Sequence, residues 1–155
     1  MATVHSSNQL YQEIIGVEAP WEVTSVTVDK EDKKITVRIE YDQDEKVFCP
    51  ICAQNAKRYD LRAKTLRHLD TCQYETLLLC QEPRVTCESH KIEQLQVPFA
   101  EKHSRFTNQF EAAVLESIKN TKNNNLSKVG ELFNLSWYEV NRIKERAEEK
   151  LCSLL

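Results

Sequence analysis

Glycine is scarce in this chain: two residues in 155, beside four prolines and one methionine. That argues against glycine loops that cradle phosphates, collagen-like repeats and low-complexity linkers. No apolar run approaches the roughly 18–20 residues a membrane span needs, so no membrane partner is expected. Met1 to Leu10 lack a basic patch followed by an apolar stretch. No export signal is therefore expected, and the cytoplasm is the default compartment. A basic excess is missing too. The formal net charge is −3 and the pI near 5.9, which by itself argues against a nucleic-acid binder.

Apolar residues make up 41% of the chain and charged residues 29%, the balance of a soluble folded protein. The length suits one domain, or two or three small modules. The charge is uneven. Residues 1–48 hold 5 basic and 10 acidic residues, a net of −5, whereas residues 49–155 hold 16 and 14, a net of +2. The low overall charge therefore need not govern what the later part binds. Six cysteines without an export signal favour metal binding or free thiols over a disulfide framework.

The pattern divides the chain into 1–46, 47–100 and 104–155. Leu10, Ile14 and Ile15 predict a short helix over Asn8 to Gly16, with Gly16 as its stop. Residues 21–29 and 34–41 alternate: Val23, Ser25 or Val26, and Val28, then Ile35, Val37, Ile39 and Tyr41. They predict a hairpin across the charged turn Lys30 to Lys33. Thr65–His68, Tyr74–Cys80 and Arg84–Cys87 read as short strands. From residue 104 the period becomes helical. Phe106, Phe110, Ala113, Val114 and Ile118 share a face, Asn123-Asn124-Asn125 breaks the pattern, and Leu126 to Phe133 forms a short helix with Val129, Leu132 and Phe133 apolar. Ser136 with Glu139 has capping-box spacing and opens a third helix, its buried face Val140, Ile143, Ala147 and Leu151. The fold class is thus α+β: a β-hairpin and a small zinc-ribbon-like finger, followed by a three-helix module.

Cys49-Pro50-Ile51-Cys52 and Cys87-Glu88-Ser89-His90 are two hooks, C-x-x-C and C-x-x-H, 34 residues apart. Together they supply four ligands to one tetrahedral ion. Zinc suits that sulfur and imidazole set, and such a closed site is structural. The segment has too little apolar mass for a core of its own, so one structural Zn2+ would contribute to its folding. A redox pair and a chance pairing of buried thiols are the alternatives. Cys72 and Cys80 read as small buried hydrophobes, and Cys152 as a packing residue or unpaired thiol.

Three helices with a tight turn between the last two make a helix-turn-helix pattern. Asn134 stands where the chain reverses, and Asn tolerates φ > 0 better than most residues. The third helix would expose Trp137, Tyr138, Asn141, Arg142, Lys144 and Glu145. Arg142 and Lys144 can reach guanine or phosphate, and Asn141 can pair with adenine. The Ser136 end offers backbone N–H groups to a phosphate. Lys57, Arg58, Arg62, Lys64 and Arg67 form a second basic cluster. Its plain alternative is a solvated strand face, and that of the helices a simple packing unit.

Several runs together resemble the bacterial ISL-three insertion-sequence transposases. They are Leu66-Arg67-His68-Leu69-Asp70, Pro83-Arg84-Val85-Thr86-Cys87-Glu88-Ser89-His90, Val97-Pro98-Phe99-Ala100, Ser104-Arg105-Phe106-Thr107 and Asn134-Leu135-Ser136-Trp137-Tyr138-Glu139-Val140. With Trp21-Glu22-Val23-Thr24 and the hairpin, the resemblance spans roughly residues 10–150. Ala53, Lys91 and Asn134 stand where that family usually has Gly, and Leu66 and Phe99 where it has Trp. The resemblance implies zinc ligation by Cys49, Cys52, Cys87 and His90 and a helix-turn-helix over Ser127–Lys150. The partner it implies is double-stranded DNA at the element's terminal inverted repeats, bound in the nucleoid. It also implies a following RNase-H-like catalytic domain, for which these residues leave no room, so the chain is expected not to be an enzyme. The competing expectation is a regulator that contacts a second copy or a full-length transposase. A thiol enzyme acting through Cys49 and Cys52 is a third.

Overall fold

Ser6 and Gln9 determine where the first helix of the described residues begins. Ser6 Oγ accepts from the Gln9 N–H, and the Gln9 side chain accepts from the Ser6 N–H. This reciprocal cap opens α1, Ser7–Ile15, and Gly16 ends it at φ 76. The computed structural model describes residues 6–155. They form two compact units, the first extending to Thr107 and the second covering Asn108–Leu155.

In the first unit the predicted hairpin is β1 (Trp21–Asp29) and β2 (Lys34–Tyr41). Asp29 Oδ1 holds the turn by accepting from the N–H groups of Glu31 and Asp32, each at 3.0 Å. A bulge between Val23 and Ser25 shifts the register, which is why the alternation is ambiguous at Ser25 and Val26. The three short strands expected next are two long ones, β3 (Lys57–Thr71) and β4 (Tyr74–Cys87), with a short β5 (Lys91–Gln94). Charged residues break the apolar pattern of β3 and β4 without breaking their pairing. Asp60 faces Arg84 across the ladder in an ion pair, and Lys64 Nζ lies 3.2 Å from Glu82 Oε1.

Cys72 and Gln73, at φ 50 and 68, make the two-residue turn between these strands. Cys72 is exposed there, which corrects its reading as a buried hydrophobe, while Cys80 is buried as expected. Burial pushes the Cys80 thiol pKa up to about 12, so it is inert at neutral pH.

The sheet is mixed, ordered β1-β2-β4-β3. β2 runs parallel to β4, and β5 is antiparallel to β4 beyond the end of β2. Hairpin and finger therefore share one sheet. Its apolar face carries Ile35, Val37, Ile39, Leu66, Leu78 and Cys80, packed with Tyr11 and Ile15 of α1 and with Val97 and Phe99. Full burial of each large aliphatic side chain contributes about 1.5–3 kcal/mol. Ser104 to Thr107 lie along β3. Arg67 donates its N–H to Arg105 O at 2.8 Å and accepts from the Thr107 N–H at 3.1 Å. His68 Nδ1 is 2.8 Å from Thr107 Oγ1, and burial holds its pKa below the ordinary value.

The second unit contains α2 (Asn108–Asn120), a 3-10 turn (Lys122–Asn124), α3 (Leu126–Phe133) and α4 (Trp137–Ser153). Phe106 precedes α2 rather than lying on it, so the predicted face reduces to Phe110, Val114 and Ile118, with Ala113 half-buried. Val129, Val140 and Ile143 complete the core. Leu151, expected on the buried face of the third helix, is 65% exposed, and the apolar Leu132 is 74% exposed. Leu151 lies near the end of α4, and Leu132 lies off the buried stripe of Leu126, Val129 and Gly130.

Candidate metal centre and nucleic-acid interface

Each hook sits in a turn that aims its ligands. In the first, the Cys49 N–H donates to Gln54 O and the Ala53 N–H to Cys49 O, both at 2.9 Å. Phe48 bridges to Asn55, so the C-x-x-C runs round the tip of a miniature hairpin. In the second, Cys87 closes β4, Lys91 opens β5 opposite it, and His90 projects from the turn between them. Ala53 and Lys91 are both left-handed, at φ 58 and 60. These are positions where the resemblance anticipates Gly, and the geometry gives the reason: each must turn the chain back directly after a ligand.

The four ligand atoms meet, all within 4.8 Å of one another. The distances Cys49 Sγ to His90 Nδ1, Cys87 Sγ to His90 Nδ1 and Cys52 Sγ to Cys87 Sγ are each 3.6 Å. A tetrahedral zinc with Zn–S of about 2.3 Å and Zn–N of about 2.0–2.1 Å has edges of about 3.8 Å between sulfurs and about 3.6 Å between sulfur and nitrogen. These three edges lie within about 0.2 Å of those values, and a disulfide at about 2.0 Å is excluded for Cys52 and Cys87. Cys49 is buried, whereas Cys52 and Cys87 are half-buried beside a groove that Lys57 and Thr86 also line. Backbone N–H groups of Ser89 and His90 hold the Cys87 pKa below the usual thiol value. At Cys52 the Gln54 N–H pulls the same way, but burial and the other thiols outweigh it and the pKa is raised. This Cys3His group could hold a metal ion, and its chemistry is that of zinc.

The basic residues of β3 do not form one open cluster. Alternation puts Arg67 on the opposite face from Lys64. The Arg58 guanidinium donates to the carbonyls of Asp42 and Glu45 and lies over the Tyr41 ring at 5.5 Å. Lys64 pairs with Glu82, and Arg67 lies 3.7 Å from Asp70. Lys57 and Arg62 are exposed.

The turn between α3 and α4 depends on two residues. Asn134 is left-handed, φ 53 and ψ 49, and both its N–H and that of Leu135 donate to Gly130 O. A Cβ built on Gly130 would lie 2.5 Å from Leu135 O, so only glycine lets the turn close there. Ser136 then caps α4: its Oγ accepts from the Glu139 N–H at 3.2 Å, and its own N–H donates to Glu139 Oε2 at 2.8 Å. Two of the N–H groups expected to face a phosphate are thus engaged within the cap. Trp137 and Tyr138 are 53% and 66% exposed at this end. Arg142 is exposed, Asn141 and Lys144 are half-buried, and Val140 and Ile143 point inward. Glu145 joins two of the predicted contacts, accepting from Asn141 Nδ2 at 3.0 Å and from Arg142 Nη1 at 3.2 Å. The sequence marks Glu145 only as an exposed position of this helix.

Two helices locked by a left-handed turn, the second capped and outward-facing, define a helix-turn-helix DNA-binding module. Residues 95–147 match the family model described as the helix-turn-helix domain of transposase family ISL3, so the chain carries that domain, with the Cys3His cluster N-terminal to it. No curated protein and no solved structure matches the chain. The matched domain is a DNA-binding one, and no catalytic domain is identified in the 155 residues. Among the described residues, no helix is long and apolar enough to cross a membrane.

Proposed function

We propose that this chain is a zinc-dependent DNA-recognition module of an ISL3-type transposase. It would bind the terminal inverted repeats of the element, in the nucleoid, and carry out no chemistry itself. The observation that carries this reading is the family match over residues 95–147, on a helix pair whose turn and cap are both specified by local residues. Cys49, Cys52, Cys87 and His90 would hold one structural zinc, which when bound cross-links the miniature hairpin to the β4–β5 turn. Asn141, Arg142 and Lys144 would read the major groove, with Trp137, Tyr138 and the Ser136 end against the backbone and thymine methyls. Lys57 and Arg62 are the better phosphate contacts on β3, with Arg58, Lys64 and Arg67 contributing only by exchanging their internal partners.

The test is fluorescence anisotropy with duplexes carrying terminal inverted repeats and with scrambled duplexes of the same composition. The repeats should bind more tightly, with affinity falling steeply as salt rises because contacts to phosphate release counterions. Arg142→Ala and Lys144→Ala should each weaken binding by about tenfold. Unchanged binding in both variants would refute the groove assignment. The excess of acidic residues in 1–48, a net of −5, favours a second reading in which this part contacts a full-length transposase or a second copy. Capture of the transposase by a chain that does not bind repeats would support that reading instead.

A further inference from the structure

At about 100° per residue, the inward stripe of α4 is Val140, Ile143 and Ala147. The line diametrically opposite runs through Tyr138 and Glu145, with Asn141 and Arg142 on either side of it. Glu145 therefore occupies the middle of the outward face, and both its oxygens are used, Oε1 by Asn141 at 3.0 Å and Oε2 by Arg142 at 3.2 Å. In both pairs the carboxylate is C-terminal to its partner, and for Arg142 that is the order that adds less to helix stability. A carboxylate at this position also opposes approach to phosphate. Trp137–Ser153 contains four basic residues and four acidic ones, Glu139, Glu145, Glu148 and Glu149, so the formal charges of the helix cancel.

We propose that Glu145 is a positioning residue for base reading. It fixes the Asn141 amide and the Arg142 guanidinium, and its charge penalises DNA of unrelated sequence. This rests on α4 being the recognition helix. One hydrogen of Asn141 Nδ2 goes to Glu145. With the hydrogen anti to Oδ1 given to Glu145, the second hydrogen and Oδ1 lie side by side, the donor and acceptor that match adenine N7 and N6. Held in that orientation, the amide reads the base without first losing rotational freedom. Arg142, tethered on one side, presents its remaining N–H groups and is kept from indiscriminate contact with phosphate.

The experiment uses the full, zinc-loaded chain. Wild-type protein enriches a duplex from a randomised library, and affinities for that duplex and a scrambled one are measured for wild type, Glu145→Ala and Glu145→Gln. The alanine variant should bind the scrambled duplex about twofold to fivefold more tightly and the enriched duplex about fivefold more weakly, cutting discrimination by about tenfold or more. Its affinity should fall more steeply with salt, by up to about 0.9 in log–log slope, as Arg142 gains a phosphate. The glutamine variant keeps an acceptor for Asn141 but loses the charge, so it should gain on scrambled DNA while losing less on the enriched site. A merely structural role would weaken both duplexes together. That result, or an unchanged ratio in the alanine variant, overturns the proposal. If wild type enriches no sequence, the recognition-helix reading fails, and the proposal with it.

Discussion

Replacing Lys91 or Ala53 by glycine should stabilise this protein, although glycine usually does the opposite. Both residues are left-handed, at φ 60 and 58. An L-residue there loses roughly 1–2 kcal/mol against crowding of its Cβ. Glycine avoids that loss but surrenders about 0.5–1 kcal/mol more chain entropy on folding. The difference is a net gain of about 0.5–1 kcal/mol at each site. Both side chains are exposed, so no buried contact is lost to offset it. For a unit of about 100 residues, 1 kcal/mol moves Tm by roughly 4–8 °C, so each variant should melt about 2–8 °C higher. The assay is thermal unfolding by far-ultraviolet circular dichroism in a fixed excess of zinc, which holds the metal linkage constant. Lys91→Val and Ala53→Val serve as opposite controls and should melt below wild type. Glycine variants that melt lower than wild type, or valine variants that melt higher, would refute the turn geometry on which the metal site depends.

The opposite substitution should fail in the second unit. Gly130→Ala puts a Cβ 2.5 Å from the Leu135 carbonyl oxygen, so it should lower stability by about 1–3 kcal/mol and weaken DNA binding, as read by chemical denaturation and anisotropy; an unchanged variant would contradict the packing at the turn. His68 predicts a pH dependence. Burial lowers its folded pKa, so the unfolded chain takes the proton more readily, and the stability that neutral His68 contributes is full above the ordinary histidine range and falls as pH drops through it. The stability difference between wild type and His68→Gln should therefore shrink between about pH 7.5 and about pH 5, and a difference that grows on acidification would contradict the assignment.

The parts of the structure legible in the sequence are those set by neighbours along the chain. Ser136 with Glu139, Gly16 after α1, Asn134 between α3 and α4 and the two cysteine hooks each act within a few residues, and each is found where local chemistry demands it. The rest depends on partners distant in sequence. Nothing in the alternation of β2 specifies that it lies parallel to β4, because both strands read the same way to a period of two. Cys72-Gln73 lacks the Asn-Gly signature of a tight hairpin turn, so Cys72 was read as buried. Lys64 and Arg58 looked open because Glu82 and the carbonyls of Asp42 and Glu45 that engage them lie far off in the sequence, whereas Asp70 is only three residues from Arg67. Glu145 reads in the sequence only as one exposed residue among several, because its contacts with Asn141 and Arg142 are visible only in the folded helix.

The central claim is that Cys49, Cys52, Cys87 and His90 grip one zinc on which the fold of the finger depends. The most direct test is metal content by plasma mass spectrometry, taken with circular dichroism as a strong chelator is titrated in. The account predicts one zinc per chain, unfolding of the finger as the metal leaves, and recovery when zinc alone is restored. A purified chain that is folded, binds DNA and contains no metal would contradict it.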